Sequence, residues 1–147
     1  MTHTTITLLR EMRFSAMASE LEKQLADPAA YNQLGFEDRL SLLVDAEWNR
    51  RQVNKLERYI RGLNPWPSAY TYKDGKMMKL WSASVSYEKF EPCPCGTLVS
   101  VEDGMLWIMT GDGVLQIKEL QPEGKRRMTT EEYLRGYPLA PGVVFGS

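Results

Sequence analysis

The chain predicts an α+β protein: an N-terminal antiparallel helical hairpin, then a small antiparallel β-barrel or half-open sandwich carrying one short helix. Three observations lead there. Apolar residues recur at helical spacing up to Arg61. A double-proline break, Asn64-Pro65-Trp66-Pro67, follows. Beyond it, three Asp-Gly pairs punctuate β-prone runs, and such pairs favour tight hairpins because both residues tolerate positive φ.

The first helix is expected from about Thr5 to Ala26, with Ile6, Leu9, Met12, Met17, Leu21 and Leu25 on one face. Asp27-Pro28 ends it, because a residue before proline is pushed out of the helical region. The second runs from about Phe36 to Arg61, with a stripe of Phe36, Leu40, Leu43, Val44, Trp48, Leu56, Tyr59 and Ile60. Glu37 and Asp38 in its first turn and Arg58 and Arg61 in its last match the helix dipole. Gly62 suits a C-cap. The short connection from Asp27 to Gly35 implies the hairpin, and Met12, Met17, Phe36 and Trp48 read as ordinary core. The boundary places one domain at residues 1–62 and another at 63–147.

The second domain reads as five strands, roughly Ala69–Lys73, Lys76–Ser86, Gly96–Val101, Met105–Thr110 and Val114–Leu120. Thr129 then caps a short helix through Leu134, with Glu132 at the reciprocal capping-box position. Met77, Met78, Met105 and Met109 fit as gap-fillers in a core.

A chain of 147 residues with net charge −1 offers no bulk attraction to nucleic acid, so binding would need a local cluster. Lys125-Arg126-Arg127 is the three-residue basic run, and Lys73, Lys76, Lys79, Lys118 and Arg135 widen it if the strands bring them to one face. Trp81, Trp107 and Tyr72 are the aromatics that could stack on bases, against the ordinary alternative that barrel tryptophans are core. The candidate RNA-binding residues are therefore Lys125, Arg126, Arg127, Lys118, Lys79 and Arg135. Cys93 and Cys95 are too few for a zinc site and too close for an unstrained disulfide; two reduced thiols in a loop are expected, with adventitious metal binding or oxidation as the alternative. No signal peptide or membrane span is visible. The single histidine, His3, lies near the N-terminus, and no Gly-x-x-x-x-Gly-Lys-Ser/Thr loop exists. The expectation is a cytoplasmic, non-catalytic protein with no cofactor, no metal and no small-molecule substrate.

Two family resemblances sharpen this. Asn64-Pro65-Trp66-Pro67, Thr110-Gly111-Asp112-Gly113, the run Glu119-Leu120-Gln121-Pro122-Glu123-Gly124-Lys125-Arg126-Arg127-Met128, and Glu131-Glu132-Tyr133-Leu134-Arg135-Gly136 appear in one order. From about residue 60 to the end, the chain resembles the C-terminal domain of methionyl-tRNA formyltransferase. The resemblance implies an OB-like β-barrel that helps hold initiator tRNA, without the domain that carries out formyl transfer. Up to about residue 60, Leu9-Arg10, Met12, Met17-Ala18 and Gly35-Phe36-Glu37-Asp38-Arg39-Leu40-Ser41-Leu42-Leu43-Val44-Asp45-Ala46-Glu47-Trp48 resemble the N-terminal helical domain of IstB-type transposition helper ATPases. That likeness implies self-assembly or partner contact, not ATP hydrolysis. Together they imply a chimera of two accessory modules. Its helical hairpin either covers apolar barrel surface or forms a homodimer, and its barrel retains weak tRNA binding; the alternative is an assembly protein that binds no RNA.

Overall fold

The computed structural model describes residues 2–146. The protein is α+β, with an open antiparallel sheet of six strands plus helices. It divides into two compact units, one ending at Arg51 and one beginning at Gln52.

The first unit is built on α1 (Thr2–Glu11), α2 (Ser15–Ala26), α3 (Pro28–Tyr31) and the start of α4 (Phe36–Gly62). The single first helix expected from Thr5 to Ala26 is broken at Arg13, which sits at φ 64°. There the Arg13 amide donates to Arg10 O (2.9 Å) and the Phe14 amide to Leu9 O (2.8 Å), a Schellman ending. No local side chain caps α2. Its first amides, of Ala16 and Met17, donate instead to Glu47 Oε2 on α4 (3.0 and 3.2 Å). Glu47 also accepts from Arg51 Nε at 3.0 Å. Gln24 and Arg39 make a second tie between α2 and α4. Gln24 Nε2 donates to Arg39 O, and Arg39 Nε donates to Gln24 Oε1, each at 3.1 Å.

These polar ties correct the expected core. Ile6, Ala16, Ala18, Gln24 and Glu47 are buried, whereas Met12, Leu25, Phe36, Leu40, Val44 and Trp48 are exposed. The face of α4 that carries Glu47 is the one α2 needs to cap its free amides, so the apolar ridge beside it stays in solvent. We expect Glu47→Ala to destabilise the first unit by about 2 kcal/mol, since it strands buried donors. Amide hydrogen exchange at Ala16 and Met17 should speed up correspondingly; unchanged protection there would refute the capping role.

In the second unit the order is β1-β2-β5-β4-β3, for β1 (Ala69–Lys73), β2 (Lys76–Ser86), β3 (Leu98–Glu102), β4 (Met105–Met109) and β5 (Val114–Pro122), all antiparallel. A two-residue β6 (Met128–Thr129), absent from the expectation, pairs with β5. Asp74-Gly75 and Asp103-Gly104 have positive φ at both residues, as two-residue hairpins require. Asp112-Gly113 belongs instead to a longer turn, in which Thr110 Oγ1 donates to the carbonyls of Asp112 and Gly113 (3.0 and 2.9 Å). Helix α5 (Thr130–Gly136) begins at the expected cap: the Glu132 amide donates to Thr129 Oγ1 (3.2 Å). The Glu132 carboxylate turns to Arg126.

The core lies on one face of the sheet, around Leu80, Leu98, Leu106, Ile108, Leu115, Ile117 and Leu120, with Ile60 of α4 and Tyr133 of α5 packed into it. The sheet path leaves β1 and β3 as its edges. The C-terminal segment runs along this gap. Leu98 N donates to Val143 O (2.7 Å), Phe145 N to Gly96 O (2.8 Å) and Gly146 N to Tyr72 O (2.8 Å). Buried Phe145 thereby joins the core. Among the described residues, no helix is long and apolar enough to cross a membrane.

Candidate nucleic-acid interface

The sheet face away from the core brings three of the six basic candidates, Lys79, Lys125 and Arg127, around Trp81. Register shifts on either side of Ser82 put two irregularities where β2 meets β5. They leave Trp81 of β2 and Lys118 of β5 without a cross-strand partner, and such bulges re-aim side chains. The bulge is held from behind. Asn64 Nδ2 donates to the carbonyls of Leu80 (3.2 Å) and Trp81 (3.0 Å), and also to Ile60 O at the end of α4. The Asn-Pro-Trp-Pro motif thus anchors the strand segment that presents Trp81.

On the outer face, the Arg127 guanidinium lies 4.5 Å from the Trp81 ring centroid, within cation–π range. Arg127 Nη2 donates to Glu119 Oε2 at 2.8 Å. Trp81 Nε1 donates to Gln121 Oε1 (3.1 Å), and Gln121 Nε2 donates to Lys125 O (2.9 Å). Glu119 and Gln121 are two apart on β5 and flank the core residue Leu120, which is how one strand supplies both braces. Lys79 pairs in register with Gln121, so it joins the same patch.

A cleft of about 280 Å³ adjoins this patch, lined by Lys73, Lys76, Lys125, Glu123, Tyr133 and Tyr137 among others. Tyr133 and Tyr137 stack with centroids 5.2 Å apart, and Lys125 Nζ lies 5.9 Å from the Tyr137 ring. Burial pushes the Tyr133 hydroxyl above its ordinary value, with the charge of Lys73 acting the other way.

The fold therefore brings Lys79, Lys125 and Arg127 together with Trp81, and Lys73 and Lys76 with Lys125. Lys118 is exposed at the bulge one residue before Glu119. Arg126 turns to Glu132, and Arg135 pairs along α5 with Glu131 (3.1 Å). Three of the arginines thus meet glutamates, which lowers the local positive potential. Trp107 takes the core alternative: it is buried and meets Phe90 edge-on at 6.0 Å. Tyr72 stays partly exposed, edge-on to Tyr70. The braces Glu119 and Gln121 and the Tyr133–Tyr137 stack were not singled out from sequence. The alternation of Glu119 and Gln121 on either side of Leu120 was the available signal for the first two.

A cavity of about 530 Å³ in this unit is lined by Leu80, Ile108, Leu115 and Phe145 of the core together with Leu56, Tyr59 and Tyr70. Cys93 and Cys95 are free thiols, and Cys95 lies at the rim of this cavity. Among the described residues, no group of three or more His, Cys, Asp or Glu is placed to hold a metal ion.

Residues 45–138 match the family described as formyl transferase, C-terminal domain. The chain is similar to methionyl-tRNA formyltransferase of Lachnospira eligens, 48% identical over 100 residues, covering 65% of this chain and 32% of the relative. It is 46% identical over 98 residues to the enzyme of the same name from Desulfotalea psychrophila, covering 67% of this chain and 30% of that protein. With the one from Clostridium tetani the identity is 34% over 125 residues, covering 85% of this chain and 38% of the relative. The chain spans about a third of the length of these curated relatives. The match begins inside α4 and takes in the Asn64 anchor, the Trp81 bulge, the Lys125-Arg126-Arg127 turn and α5, and on that extent the chain belongs to the formyl transferase C-terminal domain family.

Proposed function

We propose that the second unit binds tRNA, with the Trp81–Arg127 pair at the centre of the contact surface and Lys79, Lys118, Lys125, Arg126 and Arg135 around it. The observation that carries this reading is the Arg127 guanidinium 4.5 Å from the centre of the Trp81 ring, with Lys79 in register beside it and Lys125 in the adjoining cleft. A planar cation over an aromatic ring offers both a phosphate partner and a stacking platform for a base. The relatives' name supplies the ligand class. The C-terminal segment lying between β1 and β3 supports an OB-like barrel for this unit, with the tail in its seam. We further infer that the chain itself is non-catalytic and acts as a binding module; in support, its sequence holds a single histidine, His3, and no Gly-x-x-x-x-Gly-Lys-Ser/Thr phosphate loop.

Binding should be weak, because Glu119, Glu131 and Glu132 offset part of the positive charge, and salt-dependent, because the remaining lysine and arginine contacts to phosphate release counterions. Filter binding of initiator tRNA at about 50 mM and about 200 mM salt tests it. Replacing Lys125, Arg126 and Arg127 together with alanine is expected to weaken binding at least about tenfold and to flatten the salt slope. Failure of the unaltered protein to retain tRNA at the lower salt would overturn the reading.

A second reading concerns the helical unit, for which residues 1–62 are taken as an IstB-like module in a chimera. Its large exposed apolar side chains, Phe36, Leu40, Val44 and Trp48, favour assembly through a homodimer over a purely solvated surface.

A further inference from the structure

We propose that the cleft between the β1–β2 hairpin, the β5–β6 turn and the end of α5 is a pocket for one unpaired nucleotide of a bound RNA strand, its base stacked on Tyr137 and its phosphate held by Lys76, Lys125 and the Tyr133 hydroxyl. This rests on the tRNA-binding reading just given and adds a single-strand subsite beside the Trp81 patch. The walls are fixed by bonds within the protein. Glu123 N donates to Met77 O (2.9 Å) and Met77 N donates to Glu123 Oε2 (3.1 Å), which ties the turn to β2. Tyr137 follows α5; its amide donates to Tyr133 O (2.9 Å) and its ring stacks on that of Tyr133. The Lys125 carbonyl is the one held by Gln121, so the same turn connects the cleft to Trp81.

Three features select the ligand. The first is Tyr133, which is 6% exposed and lines the cleft, yet its hydroxyl finds no hydrogen-bond partner among the described residues. A buried donor left unpaired costs free energy that an incoming acceptor oxygen recovers. The second is charge. Lys73, Lys76 and Lys125 share the cleft with Asp74 and Glu123, so three ammonium groups meet two carboxylates. Lys73 is paired with Asp74, and Glu123 is engaged by the Met77 amide. Lys76 and Lys125 remain for a ligand, and the one excess positive charge matches the single negative charge of a phosphodiester. The third is the ring of Tyr137, 47% exposed with Tyr133 behind it. Lys125 Nζ stands 5.9 Å from its centroid, at the roughly 6 Å limit of a cation–π contact. A base can replace so loose a contact over the ring while the ammonium turns to the phosphate. The volume of about 280 Å³ falls just below the range of about 300–1,000 Å³ for drug-sized ligands, which suits one nucleotide and excludes a larger cofactor. In a duplex the bases are stacked on one another, so an unpaired nucleotide is the one that offers Tyr137 a free face.

The test uses the full chain and an end-labelled single-stranded RNA of about ten nucleotides, read by fluorescence anisotropy at about 50 mM salt beside the same strand annealed to its complement. The single strand is expected to bind at least about fivefold more tightly than the duplex, although the duplex carries the denser charge. Tyr137→Ala is expected to weaken the single strand at least about fivefold, the loss of one base–aromatic stack, and Tyr137→Phe, which keeps the ring, to restore it. Lys76→Ala should flatten the salt slope by about 0.7, and an unchanged slope would overturn the phosphate contact. Adenosine monophosphate should displace the strand at a lower concentration than inorganic phosphate; equal displacement would show an anion site alone and overturn base recognition. Equal affinity for strand and duplex, or a Tyr137→Ala chain that binds the strand as the unaltered one does, would overturn the nucleotide pocket, and tRNA still retained on filters would leave the tRNA reading standing. Binding of neither tRNA nor the strand would overturn both.

Discussion

Leu120→Ala is expected to destabilise the second unit by about 4 kcal/mol and to loosen the basic face with it. Leu120 is fully buried on β5, in register with Leu80 of β2 on one side and Met128 of β6 on the other. Truncation removes transfer energy and leaves a cavity that two ladders on either side prevent from collapsing, the circumstance in which leucine truncations cost most. The consequence reaches the surface because Glu119 and Gln121 flank this residue and hold Arg127 and Trp81. Urea denaturation followed by near-ultraviolet circular dichroism measures the loss, and Leu120→Met, which keeps most of the volume, should cost under about 1.5 kcal/mol. A loss below about 1 kcal/mol for the alanine variant would mean that the β2–β5–β6 junction is not a packed core.

Gly96→Ala carries the next largest expected effect, about 3 kcal/mol. Gly96 has φ +91°, and a Cβ there would stand 2.5 Å from the carbonyl oxygen of Phe145. The left-handed backbone costs an L-residue about 1–2 kcal/mol, and the collision with main chain adds the cost of displacing the tail. Displacement breaks the Phe145 N to Gly96 O bond and pulls Phe145 from the core, reopening the gap between β1 and β3. Gly124→Ala is the control. Its φ of +71° is similar, but nothing lies within 4 Å of the added atom, so only the backbone term, about 1 kcal/mol, should appear. Equal losses for the two variants would show that the tail does not press on Gly96.

Much of the second unit was legible in its residues because the signals are local. β1 and β2 occupy the spans expected for them, since Asp74-Gly75 sets the hairpin and with it the register. Thr129 caps α5 as read, because an N-cap needs only the amide three residues on. The bulge at Trp81 was not legible. It depends on Asn64, seventeen residues away, and on a ladder with β5 some forty residues away. Nor did the basic run show that Arg126 would turn to Glu132 while Arg127 lay over Trp81.

The helical half shows the same division more sharply. Helical periodicity correctly marked α4, and Asp27-Pro28 correctly marked the end of α2. Which face of α4 is buried was decided elsewhere, by the amides of Ala16 and Met17, about thirty residues back along the chain, which need the Glu47 carboxylate. By itself the sequence determined the long helix α4, the β1–β2 hairpin and the cap of α5, and that the second unit carries the motifs of its family, but not the break at Arg13 or the short β6. Only the tertiary structure decided which side chains cap, brace and stack, because those pairings satisfy donors and fill space between groups that are neighbours in the fold and strangers along the chain.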